Sequence, residues 1–421
     1  MLQVYRVLTT AAGPLALLLL RWRAAGPVRL RSRWKERSGR FERAPGKPVI
    51  WIHAASVGEV NGVQGLVRTL ARRNPEHRVV VSTLTATGRE RAENLFGEQV
   101  QTLFAPIDSY ARVRRWLDRL DPAMGLIAET ELWPELLIAC QQRALPLVLV
   151  NARLAPRAMR LYRRFRPLFR RALEGVSRVI CQTEADARRF AELGVADDRL
   201  RVAGNLKFDM PLPADLGEQV RSLRARWGER PAWVAGSTRS GEEALIIDAH
   251  RQVLAARADA LLVLAPRHPE RSDEITRLLN QAGLAWQTIE QAIAPATRVV
   301  VVDRIGALLA CYAAASVAFV GGSLVDIGGH NLIEPAACGK PVIAGPFLHQ
   351  QAEAADALIA ADGLMRVENA QQLAAAVIEL WRSPEQALHY GGNALEVVEQ
   401  GRGSLRRTVR QLEDLLSATA D

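Results

Sequence analysis

The chain has 421 residues, 49% of them apolar, 24% charged, with a formal net charge of +10. One hydrophobic core stops growing near about 250–300 residues, so a single compact domain is excluded and two are expected. The four cysteines, Cys140, Cys181, Cys311 and Cys338, lack any C-x-x-C pairing, which argues against a structural zinc site and fits a reducing cytosol.

Eleven Lys and Arg against Glu36 and Glu42 place +9 of the charge in residues 1–48. Within that segment VLTTAAGPLALLLL, residues 7–20, is uncharged but shorter than the roughly 20 residues a spanning helix needs. Residues 1–47 are therefore expected to be a membrane anchor with a basic segment, lying in the interface or dipping into it. A cleaved signal peptide ending near Ala24-Ala25-Gly26 and a merely buried helix are the alternatives. Arginines directly after the apolar run keep that side cytoplasmic and suit anionic head groups. Charge confined to one end argues against nucleic acid.

From residue 48, β-branched runs alternate with helical patterns: PVIWIHAA, RVVVSTLT, QTLFAPID, MGLIAETE, PLVLVNAR, SRVICQTE and LRVAGN. After FDMPLPADLG, rich in proline and acidic residues, come AWVAGST, LLVLAPRH, RVVVVDRIG, VAFVGGS, KPVIAGP and GLMRV. Such runs predict α/β architecture: two doubly wound parallel-sheet domains, Rossmann-like, over 48–206 and 232–400. Residues 207–231 are expected as a linker, and about 385–418 as a closing amphipathic helix able to pack on either domain. Ligands of such sheets bind beyond the strands' carboxyl ends.

Those ends carry the candidate chemistry. In HAASVGEV, Glu59 is either the far half of a capping box begun by Ser56 or a positioned general base. In ETELWP, Glu129 and Glu131 point to opposite faces of an extended segment, so at most one faces a given cleft; helix N-terminal acids before Pro134 are the alternative. Trp133 suits a core or an acceptor platform. Lys207 of GNLKFD is a surface lysine or a cleft cation. In VAGSTRSGEE, Ser237, Thr238 and Ser240 are candidate helix caps leaving N–H groups for an anion. Arg267 of LAPRHPER could fork onto phosphate, and His268 is a weak signal.

GGSLVDIGGHNLIEP, residues 321–335, fits no Walker A loop, because Gly339-Lys340 precedes Pro341. No G-x-G-x-x-G occurs, and His330 with Glu334 lacks a third metal ligand. A glycine turn feeding a helix at Asn331, with N–H groups for a phosphate and Glu334 for ribose hydroxyls, remains, alongside a plain Asn-x-x-Glu cap. The chain has no D-x-D to hold a divalent metal against a diphosphate.

Together HAASVGE, STLTATGRERA, ETELWPELL, LVNARL, GNLKFD, PRHPER and FVGGSLVDIGGHNLIEPAACGKPVIAGP resemble the 3-deoxy-D-manno-octulosonic acid (Kdo) transferases over essentially the whole chain. The resemblance implies a GT-B fold and an inverting, metal-independent transfer of Kdo from CMP-Kdo to the anionic lipid A precursor. It implies a location at the cytoplasmic face of the inner membrane and no cofactor. Glu59 is implied as proton acceptor for the acceptor's 6′-hydroxyl, with Glu129 and Lys207 stabilising the transition state. CMP contacts are implied at Pro266, Arg267, the turn Ile305-Gly306-Ala307, and Asn331, Leu332, Ile333 and Glu334. Ala307 stands where the family's turn has glutamate, which leaves backbone contacts there. The sugar's carboxylate suits a nearby Lys207, and hinge motion between the domains would assemble the site. The alternatives are a UDP-sugar enzyme of the same architecture, a 2-epimerase or N-acetylglucosaminyltransferase, and a non-catalytic membrane-tethered binding protein.

Overall fold

The computed structural model describes residues 1–10, 32–42, 46–209, 212–291 and 293–417, so most of the expected apolar anchor, residues 11–20, lies outside the described residues. No helix among the described residues is long and apolar enough to cross a membrane. The chain forms two compact units, Met1–Asp209 with Gly401–Asp421, and Met210–Gln400.

The first unit is built on seven parallel strands: β1 (Val49–His53), β2 (Arg78–Thr83), β3 (Gln101–Phe104), β4 (Pro122–Ala128), β5 (Leu147–Ala152), β6 (Arg178–Cys181) and β7 (Leu200–Val202). Their order is β3-β2-β1-β4-β5-β6-β7. Both faces are covered, which is why the central runs are apolar at successive positions: Val49 and Trp51 enter one core, Ile50 and Ile52 the opposite one.

The second unit carries β8 (Ala232–Thr238), β9 (Leu261–Pro266), β10 (Trp286–Thr288), β11 (Val299–Val301), β12 (Val317–Val320), β13 (Val342–Ala344) and β14 (Leu364–Arg366). The order is β10-β11-β9-β8-β12-β13-β14, again wholly parallel. Strand β10 went unanticipated because its three residues, Trp-Gln-Thr, are only half-buried at a sheet edge and form no apolar run.

Two expectations change in detail. Within 207–231, expected as a linker, Leu216–Trp227 is a helix. The closing helix is two helices, Pro384–Gly401 and Ser404–Ser417, broken where Gly403 takes φ +83°. The second belongs to the first unit, where Val409, Leu412 and Leu416 enter the core and the Asp209 carboxylate accepts from the Gly403 and Leu405 N–H groups.

The N-terminal basic segment is also less free than its charge suggested. Arg37 is buried, stacked on Trp34 and Phe104, and donates to the Ala105 carbonyl. Glu36 meets buried Arg89 and accepts from the Phe104 N–H. These side chains hold 32–38 to the sheet and do not reach for lipid.

Strand order reverses between β1 and β4 in the first unit and between β8 and β12 in the second. Such switch points open a crevice at the carboxyl ends, because the flanking connections leave toward opposite faces. Glu59 and Glu129 follow β1 and β4; Arg239 and the glycine turn at Gly321 follow β8 and β12.

Candidate active site

In the first unit the turn after β1 caps the helix Val57–Gly62 with Ser56, whose hydroxyl accepts from the Glu59 N–H at 3.4 Å. The Glu59 carboxylate returns the contact, accepting from the Ala55 N–H at 2.7 Å and the Ser56 hydroxyl at 3.0 Å. The capping arrangement is thus present, and it fixes the carboxylate for chemistry as well. Burial, then the neighbouring Glu131 and Glu129 carboxylates, push Glu59 up to about 8, while the Ala55 N–H and Ser56 hydroxyl pull the other way.

The expectation that only one of Glu129 and Glu131 could serve a cleft is corrected. It assumed an extended chain, but Glu129 takes φ +55° as β4 ends, so the backbone turns and both carboxylates bear on Glu59. A left-handed glutamate costs about 1–3 kcal/mol and concentrates at functional sites. Lys207, in the short helical turn Leu206–Phe208, places its ammonium 2.9 Å from Glu129 Oε1. This is an ion pair without hydrogen-bond alignment, since Oε1 has no donor in bonding geometry. The lysine stem runs over Gly62, where a Cβ would sit 3.3 Å from Lys207 Cε. Asn151, at φ +52°, holds this turn by accepting from the Leu206 N–H at 2.9 Å.

Glu131 accepts from Trp133 Nε1, and its Oε2 lies 4.0 Å from Nε2 of buried His53. His53 Nδ1 sits 2.9 Å from the Ser82 hydroxyl and 3.2 Å from the Ser82 carbonyl, so the proton belongs on Nδ1. Burial pushes His53 down to about 4, which keeps the ring neutral. Burial also raises Glu131 above its ordinary range, against the pull of the Trp133 N–H. Removing its charge should ease ionisation of Glu59. Glu131→Gln is expected to move the acid limb of the kcat/KM profile below its wild-type midpoint, a pH–rate series being the check.

In the second unit, Pro266 ends β9 and exposed Arg267 follows, its N–H donating to the Thr238 carbonyl at 3.0 Å. The helix-cap expectation for Ser237, Thr238 and Ser240 is corrected: helix Glu243–Ala256 has no side-chain cap, Ser237 lies in β8 at φ +58°, and Thr238 donates to Glu243 at 3.1 Å. Arg239 lies beside His268, Nη1 to Nε2 at 2.6 Å, with its Nε buried and without a partner among the described residues. His330 Nε2 is likewise buried without a partner among the described residues. Burial, then Arg239, Arg267 and His268, push His330 down to about 4. Two of the local acids are committed elsewhere, Glu243 to Arg271 at 2.7 Å and Glu242 to four backbone N–H groups, while Glu270 meets His268 Nδ1 at 3.2 Å. Arg239 and Arg267 thus gather positive charge beside His330, which makes this end of the second sheet a candidate anion site.

Glu242, fully buried, accepts from Arg239, Gly322, Ser323 and Leu324 N–H at 3.1, 2.7, 3.1 and 2.9 Å. The first glycines of GGSLVDIGGHNLIEP therefore serve close packing: a Cβ on Gly321 would lie 2.7 Å from the Ser237 carbonyl oxygen. Downstream, Asn331 Oδ1 accepts from the Ile333 N–H at 3.1 Å and its amide donates to Glu334 at 3.2 Å. The Asn-x-x-Glu contact is thus made, and the Ile333 N–H is already occupied. Leu332 and Ile333 are buried, so their side chains are out of a ligand's reach. In the remaining turn Ile305 is 86% exposed, Gly306 takes φ +95° with open space around it, and Ala307 is buried.

The family profile described as 3-Deoxy-D-manno-octulosonic-acid transferase (kdotransferase) matches residues 32–210. The chain is 34% identical over 418 residues to a 3-deoxy-D-manno-octulosonic acid transferase of Haemophilus influenzae, covering 98% of each chain. It is 36% identical over 408 residues to the enzyme of that description from Bordetella pertussis, covering 94% of this chain and 92% of that one. Among solved structures, UDP-GlcNAc 2-epimerase from Neisseria meningitidis shares the fold, with TM-score 0.57 and 14% identity over 87% of this chain and 100% of that one. Two wholly parallel seven-stranded sheets of GT-B type, with acids at one switch point and cations at the other, fit a glycosyl transfer. The chain belongs to the 3-deoxy-D-manno-octulosonic acid transferase family.

Proposed function

We propose that the enzyme transfers Kdo from CMP-Kdo to the 6′-hydroxyl of the lipid A precursor, at the cytoplasmic side of the inner membrane, without a metal. The observation that carries the chemistry is Glu59, fixed by two donors, raised to about 8, and flanked by Glu129 with its Lys207 partner.

The hydroxyl oxygen attacks the anomeric carbon as the bond from that carbon to the phosphate oxygen breaks. The electron pair leaves with CMP, and the hydroxyl proton passes to Glu59. Attack opposite the leaving group inverts the centre. A carboxylate near pKa 8 is a stronger base than an ordinary glutamate, which matters because a sugar hydroxyl is a reluctant donor. Lys207, held by Glu129, offers positive charge to the oxyanion side of the transition state. Arg239 and Arg267 would stabilise the leaving phosphate, so charge neutralisation does not call for a divalent ion.

The test is thermal. CMP at about a hundred times its dissociation constant should add about 2.7 kcal/mol of stability, with chelator present, whereas UDP should add none. Arg239→Ala is expected to weaken CMP about tenfold, the scale of a lost charge-assisted hydrogen bond. Protection by UDP equal to that by CMP would favour the UDP-sugar reading instead.

A further inference from the structure

The helix formed by residues 2–10 takes no part in the chemistry above, yet it commits two polar side chains to the first unit. Val4, Val7 and Leu8 are exposed, whereas Leu2, Tyr5, Arg6 and Thr9 are half-buried, the i, i+3, i+4, i+7 spacing of one helix face. Leu2 packs against the core. The Tyr5 hydroxyl donates to Asp108 at 2.6 Å. Arg6 forks onto Glu135, Nε to Oε1 at 2.7 Å and Nη2 to Oε2 at 3.4 Å, with its guanidinium 4.5 Å from the centre of the Tyr110 ring.

Both acceptors are buried, Asp108 at 4% exposure and Glu135 at 2%, and both sit at the start of one helix, Pro134–Gln142. That helix receives no side-chain cap from its own N-cap residue, Trp133. Asp108, from the loop after β3, supplies the cap instead, accepting from the Leu136 N–H at 2.8 Å and the Glu135 N–H at 3.2 Å. Burial pushes Asp108 up to about 6, against the pull of the Tyr5 hydroxyl and those two N–H groups. Without Tyr5 the capping carboxylate loses a donor. Without Arg6, Glu135 becomes a buried charge whose ion pair is gone, the damaging way to break such a pair.

The start of that helix carries part of the acid cluster. Trp133 immediately precedes Pro134, its indole N–H donates to the Glu131 carboxylate, and its backbone N–H donates to the Glu131 carbonyl at 3.1 Å. We propose that Tyr5 and Arg6 are positioning residues: by clamping the start of Pro134–Gln142 they fix Trp133, and through it the Glu131 carboxylate beside Glu59. The groups that face Glu131 are His53, Glu59, Glu129 and Tyr162. The inference rests on the reading of Glu59 as base for its catalytic meaning. Its test follows the Glu59 proton with no substrate present, so the two can fail separately.

The experiment titrates the full chain, labelled with carbon-13 at its glutamate carboxyls, the Glu59 resonance being the one lost in Glu59→Gln. In Glu131→Gln the Glu59 midpoint should fall. Arg6→Ala should move it the same way, because a loosened Trp133 lets Glu131 drift from Glu59; losing the Arg6 charge without that movement would push it up. Arg6→Lys should restore most of the wild-type midpoint. On the Glu131→Gln background Arg6→Ala should add no further fall, a coupling that a general loss of stability does not produce. If Arg6→Ala does not fold, Tyr5→Phe, which deletes only the hydroxyl, makes the same comparison with a smaller fall expected. An unchanged or raised midpoint, or an equal fall with and without the Glu131 carboxylate, would overturn the proposal. The expected fall in a protein that adds no Kdo to its acceptor would leave the clamp standing and contradict the transferase reading.

Discussion

Glu59→Gln is expected to cut kcat/KM by about 10²- to 10⁴-fold, the range a positioned general base contributes. The loss should not come from unfolding. A glutamine oxygen still accepts from the Ala55 N–H, and its amide N–H can donate to the Ser56 hydroxyl oxygen in place of the second wild-type bond, so the side chain keeps its seat. Stability should even move the other way. Glu59 has a folded pKa of about 8, above its ordinary 4.5, so its contribution is complete below about 4.5 and is lost as pH rises through about 8. Glutamine has no proton to lose there. Melts should therefore show the variant gaining on wild type from about pH 5 to 8, with the gap level above that. Wild-type kcat/KM should rise with pH through the same region as the base ionises.

The second large effect concerns Glu242 in the other unit. Glu242→Ala leaves the N–H groups of Arg239, Gly322, Ser323 and Leu324 buried without their acceptor. At about 1–3 kcal/mol for each orphaned donor, partly relieved by relaxation and water, the loss should be on the order of 5 kcal/mol. Because the same bonds place Arg239 against the glycine turn, CMP stabilisation should disappear with them. Glu242→Gln, which keeps one acceptor oxygen, should fall between wild type and the alanine variant. Denaturant melts with and without CMP measure both effects.

The two parallel sheets were legible because their central strands are buried on both faces and so form apolar runs, as VIWI and VAFV do. The edge strand Trp286–Thr288 was not, since a half-buried edge needs no such run. Among site residues, Glu59, Glu129, Lys207 and Arg267 stand at strand ends, where a doubly wound sheet places its chemistry. The pairing of Lys207 with Glu129 could not be read from spacing, because it depends on a left-handed glutamate and on a stem passing over Gly62. Arg239 and His53 carry no such signal for a related reason: Arg239 stands among candidate cap residues, and His53 lies at the end of an apolar strand. Only the fold shows that one adjoins His268 and the other reaches Glu131. The glycine turn changed most. Its opening N–H groups serve Glu242, so the phosphate reading moves from backbone amides toward the arginines beside them.

The most direct measurement incubates the full-length protein with CMP-Kdo generated in situ and tetra-acylated lipid A precursor, then weighs the lipid by mass spectrometry. Added Kdo with wild type, and none or a trace with Glu59→Gln at matched folding, is the expected result. No mass gain with wild type, or an undiminished gain with the variant, would contradict Kdo transfer by Glu59 base catalysis.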